Sequence, residues 1–194
     1  MIKKKLLEIV AWSLAGAVLV GGLVYYNFID KPVVSGVEIG DVCPDFTVKA
    51  YKAENGKFAL SEEEITLSEC RGKIVVVNFW ATWCTACIAE LPDFNQFQTD
   101  YQEDVVVLAL NYESYQTAEF ICNWMDEKQP TWQDYNLILG RYEKDNDVYT
   151  TLGFTSGALP GTMIINREGI IVYSADGSMH YDDLKAEISP LLKL

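Results

Sequence analysis

Apolar and polar positions alternate along the chain with periods near two and near 3.6 residues, which predicts strands and helices respectively. The strongest signal is the apolar run 74–77, one isoleucine followed by three valines, which is typical of a strand buried on both faces. A second apolar run over 104–111 predicts another buried strand, and spacings of three and four residues over 114–128 predict an amphipathic helix. The same reasoning predicts further strands over 45–49, 57–60, 135–139, 162–166 and 170–173, and further helices from Cys84 onward, over 145–152 and over 181–192.

Turn residues predict how some of these elements are connected. Asn55-Gly56 between the strands 45–49 and 57–60 is typical of a tight hairpin, and the acidic run 61–64 after it predicts a short, solvated helical or turn segment that ends at Gly72. The strands 162–166 and 170–173 are so close in sequence that they must run antiparallel. Together with the alternating strands and helices of the middle, this predicts an α/β fold in which helices cover a mixed central sheet.

The N-terminus has the pattern of a membrane anchor. Lys3, Lys4 and Lys5 precede residues 9–29, which carry no charge and as a helix would be about 31 Å long, enough to cross a bilayer. The lysines should stay in the cytoplasm, so the rest of the chain is expected on the other side of the lipid bilayer. A cleavable signal peptide is the alternative, although its apolar part is usually shorter. We therefore divide the chain into a lysine-rich end with a transmembrane helix (1–30), a tether (31–37) and one domain (38–194).

Composition limits what this domain can do. The chain has 194 residues, of which 49% are hydrophobic, enough for one domain with a full core. Its net charge of −13 argues against the phosphate backbone of a nucleic acid as a partner.

Cys84 and Cys87 follow the strand 74–77 at the predicted start of a helix. The unpaired N–H groups and the macrodipole of a helix N-terminus stabilise a thiolate, so we expect Cys84 to be the nucleophile and Cys87 to resolve a mixed disulfide formed there. A zinc site is a competing interpretation of this spacing, but no second Cys or His pair is present to complete it. Two unrelated buried cysteines are the other alternative. The pattern favours a redox pair that needs no metal and no cofactor.

The run 77–87 with Pro92 behind it resembles the thioredoxin superfamily, and in particular its membrane-anchored TlpA/ResA-like thiol-disulfide oxidoreductases. The resemblance covers about 38–194 and includes the segments 40–46, 67–73 and 159–166. It implies a thioredoxin-like fold. It also implies that the protein receives electrons from a transmembrane donor and passes them to protein disulfides. Apocytochromes c are among the substrates that the resemblance suggests.

The resemblance also implies roles for single residues. Pro160 is expected to be a cis-proline facing the cysteine pair, with Leu159 beside it where a substrate chain would bind; an ordinary trans-proline is the alternative. Glu90, one helical turn after Cys87, is expected to be a partly buried acid/base group, and an exposed surface glutamate is the alternative. Trp83 is expected to give the disulfide an apolar contact surface, unless it is purely structural. Asn78 stands where cytoplasmic thioredoxins have a buried aspartate, which makes Glu90 the better proton acceptor.

The other three cysteines are isolated in sequence. Cys122 lies on the apolar side of the helix 114–128, which favours a core residue over a third redox thiol. Cys43 and Cys70 could form a second disulfide in an oxidising compartment if their Cα atoms are within about 7 Å. The sequence leaves this open.

Two other functions compete with the oxidoreductase. A peroxiredoxin-like peroxidase shares the fold and the Pro44-Asp45-Phe46 opening, but it would use a lone cysteine, which Cys87 contradicts. A non-enzymatic, chaperone-like module would hold partner chains near the membrane without needing either cysteine.

Overall fold

The computed structural model describes residues 36–143 and 145–192. Seven strands form one sheet: β1 Thr47–Glu54, β2 Lys57–Thr66, β3 Ile74–Trp80, β4 Val105–Asn111, β5 Ile138–Arg141, β6 Gly161–Ile165 and β7 Ile171–Asp176. The helices are α1 Thr85–Asp100, α2 Ala118–Lys128, α3 Val148–Thr151 and α4 Tyr181–Ile188, with 3-10 turns at Leu67–Cys70 and Pro130–Asp134. The strand order is β2-β1-β5-β4-β3-β6-β7.

Strand β3 lies inside the sheet and separates two cores. Every residue of β3 is buried, between β4, which is parallel, and β6, which is antiparallel. Because side chains alternate along a strand, Trp80 packs with α1, α2 and α4 on one face, whereas Phe79 packs with α3 on the other. Asn78, two residues before Trp80, therefore points to the α1 face.

The prediction of a mixed sheet with helices on it is confirmed, as are both hairpins. Asn55 and Gly56 have φ angles of 53° and 77°, the left-handed conformation that a tight hairpin turn requires, and β6 and β7 pair antiparallel. Strands β3, β4 and β5 run parallel, so their carboxyl ends share one edge of the sheet.

The helical or turn segment predicted from residue 61 to Gly72 is found only in its later part, as the 3-10 turn Leu67–Cys70, and the prediction is wrong over 61–64. These residues belong to β2, which pairs with β1 from Glu54↔Lys57 to Thr47↔Thr66. The glutamates are on an edge strand, where Lys49 forms an ion pair with Glu62 and Lys52 with Glu63. Pairing across the hairpin overrides the local preference of an acidic run, and charges on an edge strand also discourage pairing with other chains.

Four other elements are shorter than predicted or shifted. The helix expected over 114–128 begins at Ala118, because the Thr117 side chain accepts the Phe120 N–H and caps it there. The predicted strand 135–139 is found at Ile138–Arg141, where pairing with β4 and β1 places it. The predicted helix 145–152 is a single turn, Val148–Thr151, and the last helix ends at Ile188 and not at residue 192. These ends depend on caps and neighbouring strands more than on periodicity.

Within the described ranges, no helix has the length and hydropathy needed to cross a membrane. The predicted anchor, residues 9–29, and nearly all of the predicted tether lie outside the described residues.

Candidate active site

Cys84 and Cys87 form a disulfide at the start of α1, with their Cα atoms 5.3 Å apart. Strand β3 ends at Trp80, a short loop follows, and Cys84 is the N-cap of α1, where its Sγ accepts the Cys87 N–H at 3.2 Å. Cys84 has 6% of its surface exposed to solvent, whereas Cys87 is completely buried. A substrate can therefore reach Cys84 first, at the helix end that favours a thiolate, and Cys87 is restricted to attack within the molecule.

Glu90 lies on α1 one turn beyond Cys87, and none of its surface is exposed. The alternative of an exposed surface glutamate is therefore wrong. Its Oε1 accepts the Asn78 Nδ2–H at 2.8 Å and its Oε2 accepts the Met179 N–H at 2.8 Å. Burial raises the pKa of Glu90 to about 7, although both hydrogen bonds act in the opposite direction. A carboxyl with this pKa can accept and release a proton near neutral pH.

Asn78 connects Glu90 to the sheet. Its Nδ2 donates to Glu90 and to Thr162 Oγ1, at 3.1 Å, and Thr162 is its partner residue on β6. Asn78 is fully buried. An amide does not titrate, so Glu90 is the titratable member of this contact, and its role as an acid/base group stays a prediction.

Leu159 and Pro160 precede β6 at the edge of the sheet where β3 ends, since Phe79 pairs with Gly161. The peptide bond between them is cis, as the resemblance implied. Leu159 is half-buried and contacts both cores. These two residues and the loop before Cys84 therefore belong to the same end of the sheet.

Trp83, the residue before Cys84, forms an exposed aromatic pair with Tyr115. Trp83 has 58% of its surface exposed to solvent and Tyr115 has 60%. The Trp83 Nε1–H donates a hydrogen bond to Tyr115 Oη at 3.4 Å. Since more than half of Trp83 is exposed, its indole offers an apolar surface to a binding partner. Its role as a substrate contact stays a prediction.

Glu113 is a site residue that the sequence interpretation missed. It is almost fully buried, and it accepts the Thr82 N–H at 2.6 Å and the Thr82 Oγ1–H at 2.9 Å. Asn111 Nδ2 and Tyr115 Oη also donate to its carboxylate. Glu113 thus holds the loop that leads into Cys84. The signal was its place just after β4, because the ends of parallel strands lie side by side.

The three other cysteines are free thiols in the described chain, so Cys43 and Cys70 form no second disulfide there. Burial raises the pKa of the Cys43 thiol to about 12 and that of Cys122 to about 11, and it also raises the pKa of Cys70. Such thiols are poor nucleophiles. Cys122 lies in the core with α2, as predicted.

Metal ligands do not converge in this domain. Across residues 36–143 and 145–192, no group of three or more His, Cys, Asp or Glu side chains is arranged to hold a metal ion.

Residues 39–174 match the AhpC/TSA family. The chain is 34% identical over 191 residues to the thioredoxin-like protein YneN of Bacillus subtilis (strain 168). This alignment covers 97% of this chain and 98% of YneN. It is 28% identical over 157 residues to the thiol-disulfide oxidoreductase ResA of Oceanobacillus iheyensis, covering 79% of this chain and 72% of ResA.

Solved structures share the fold. The pneumococcal exposed lipoprotein thioredoxin Etrx1 of Streptococcus pneumoniae strain TIGR4 has a TM-score of 0.60 at 26% identity, and the match covers 78% of this chain and all of that one. A secreted thiol-disulfide isomerase of Corynebacterium glutamicum has a TM-score of 0.61 at 18% identity, over 78% of this chain and 85% of that one. The latter similarity concerns the fold alone. The predicted thioredoxin-like fold is confirmed.

Proposed function

The chain belongs to the AhpC/TSA family, and we propose that it is a membrane-anchored member that reduces disulfides of protein substrates outside the cytoplasm. It is a thiol-disulfide oxidoreductase, like the ResA relatives. The observation that supports the proposal most directly is the order of groups along α1. Cys84, the more exposed of the two cysteines, caps the helix, the fully buried Cys87 follows, and a buried carboxyl with a pKa of about 7 lies one turn further on.

The reduced enzyme starts with the Cys84 thiolate. Its sulfur attacks one sulfur of the substrate disulfide, forms a mixed disulfide and releases the other substrate sulfur as a thiolate. Glu90 then takes the proton of the Cys87 thiol, and the resulting thiolate attacks Cys84 Sγ. The second substrate sulfur leaves and is protonated. Two electrons have passed to the substrate, and the enzyme holds the Cys84–Cys87 disulfide, the state seen in the structure.

Substrate chains would bind where the aromatic pair and the residues before β6 flank the cysteines. Trp83 offers an apolar surface, and the backbone of Leu159, which precedes the cis-proline Pro160, offers hydrogen-bonding groups at the same end of the sheet. Apocytochromes c are the narrower substrate class that we propose, on the resemblance to the ResA branch.

Location and electron supply complete the proposal. Residues 9–29 would anchor the chain in the lipid bilayer with the lysines inside, and the relative Etrx1 is described as an exposed lipoprotein. A dithiol outside the cytoplasm is oxidised unless something reduces it, so the cycle requires a transmembrane electron donor. Protease added to spheroplasts, from which any outer membrane and the cell wall have been removed, should digest the domain and leave the cytoplasmic end protected. Protection of the domain in spheroplasts would contradict this orientation.

Insulin reduction by the purified protein, with hydrogen peroxide consumption measured in parallel, tests the activity. We expect insulin reduction that is lost in the Cys84→Ser, Cys87→Ser double variant, and a reduction potential of the pair well below that of oxidants such as DsbA. Peroxide consumption without insulin reduction would favour the peroxidase. Binding of unfolded chains that survives the double variant, with no exchange activity in the parent, would favour the chaperone-like module.

The role of Glu90 has its own test. Glu90→Gln should slow the release of substrate from the mixed disulfide near pH 7 and remove the pH dependence that Glu90 causes, whereas Glu119→Gln, at an exposed position on α2, should change neither. An unchanged pH–rate profile in Glu90→Gln would rule out the base.

A further inference from the structure

The start of α4 is attached to α1 at two consecutive residues. The Met179 N–H donates to Glu90 Oε2 at 2.8 Å, and the ring of the next residue, His180, lies with its Nδ1 2.7 Å from Asp93 Oδ2. Glu90 and Asp93 are three residues apart on α1, so they share one face of that helix. The His180 N–H also donates to Asp183 Oδ2 at 2.9 Å, which fixes the first turn of α4.

His180 is the only histidine of the chain, and the exchange chemistry described above does not use it. Its ring is exposed and Asp93 is about two-fifths exposed, so neither residue contributes to the core. Their contact instead lies one residue after Met179, whose N–H contacts Glu90. An exposed pair of this kind adds little to the free energy of unfolding. What distinguishes it is its location beside the contact between Met179 and Glu90.

We propose that Asp93 and His180 are positioning residues whose contact keeps the Met179 N–H on the Glu90 carboxylate. The inference rests on the proposed role of Glu90 as the base for Cys87. It extends that role, because the pair then determines how readily the buried carboxyl ionises.

The charges around Glu90 give the direction of the effect. The groups that face it are Asn78 from β3, the Met179 N–H and His180 from the start of α4, and Asp93 from its own helix. The two hydrogen bonds and a protonated His180 favour the carboxylate, whereas Asp93 disfavours it. The hydrogen bond to Asp93 raises the pKa of His180, and the charges of Asp93, Glu90 and Asp183 act in the same direction, so the ring carries its proton more readily than a free histidine. Loss of His180 should therefore raise the pKa of Glu90 further.

The experiment is a titration of the Glu90 carboxyl by carbon NMR in the oxidised protein, with the signal identified by its absence in Glu90→Gln. In His180→Ala the midpoint should move up by roughly 1 pH unit, the size expected when a hydrogen bond to a charged group weakens. At pH 7 the ionised fraction would fall about fivefold, and substrate release from the mixed disulfide should slow by a similar factor.

Tyr181→Phe is the matched control. It removes another contact between α4 and α1, the hydrogen bond from Tyr181 Oη to Asp100 Oδ2 at 2.8 Å, one residue further along the chain and away from Glu90. Its Glu90 midpoint should equal that of the parent. A second variant, His180→Asn, keeps a side-chain donor for Asp93 without the positive charge and should recover at least half of the shift.

Three results would overturn the inference: an unchanged midpoint in His180→Ala, an equal shift in Tyr181→Phe, or no recovery in His180→Asn. The midpoint does not depend on catalysis, so these results bear on the positioning role alone. Failure of the proposed function would show instead as an unchanged exchange rate in Glu90→Gln.

Discussion

The buried carboxyl of Glu90 should make the stability of the oxidised domain depend on pH. In the unfolded chain Glu90 titrates near 4.5, and in the folded protein its pKa is raised to about 7 by burial. Because the folded pKa is the higher one, the stabilising contribution is complete below pH 4.5 and is lost as the pH rises toward 7 and beyond. Glu90→Gln removes the titrating group and keeps the shape of the side chain.

The size of the effect follows from the two pKa values. The difference of about 2.5 pH units corresponds to about 3 kcal/mol in the free energy of unfolding, at about 1.4 kcal/mol per unit. The glutamine has only one acceptor oxygen, so its NH2 group faces either the Asn78 amide or the Met179 N–H, and this costs about 1–3 kcal/mol at every pH. This cost does not change with pH. Only the change with pH of the stability difference between the parent and Glu90→Gln therefore reports on the ionisation of Glu90.

Urea unfolding of both proteins with the disulfide intact, at intervals from pH 4 to pH 9, measures this slope. We expect the stability of the parent to fall relative to that of Glu90→Gln by about 3 kcal/mol over the range, with most of the change between pH 4.5 and pH 7. Comparison with the variant cancels the other titrating groups. Two parallel curves would mean that Glu90 titrates alike in the folded and unfolded chain, and the base role at neutral pH would lose its physical support.

Three further substitutions test the surroundings of the disulfide. Glu113→Ala leaves the Thr82 N–H without its acceptor, so it should cost about 1–3 kcal/mol in urea unfolding and change the alkylation rate of reduced Cys84; an unchanged rate would show that the loop holds its own shape. Trp83→Ala should raise KM for a protein disulfide while stability changes by less than about 0.5 kcal/mol, because the indole is mostly exposed, and a small disulfide substrate serves as the control. Cys122→Ala should leave insulin reduction unchanged and lower stability by about 1 kcal/mol, and a loss of turnover would make it a third redox thiol.

Much of the molecule could be predicted from local pattern and from resemblance. Three features depend on residues that are close together in the chain: the buried strand β3, the hairpin at Asn55-Gly56 and the pairing of Cys84 with Cys87. A short stretch of sequence therefore contains the residues that determine each of them. The resemblance to the thioredoxin superfamily also pointed to Glu90 and to the cis bond before Pro160.

The tertiary structure decided what depends on distant partners. The segment 61–64 is a strand because β1 lies beside it, and Glu113 belongs to the site because β4 ends next to β3. The raised pKa of Glu90 comes from its burial once the chain has folded, and the two hydrogen bonds that partly oppose it come from Asn78 and Met179, which are 12 and 89 positions away in the sequence. A sequence pattern records which side chains a segment carries, whereas burial, hydrogen bonds and pKa values arise only when the sheet brings separate segments together.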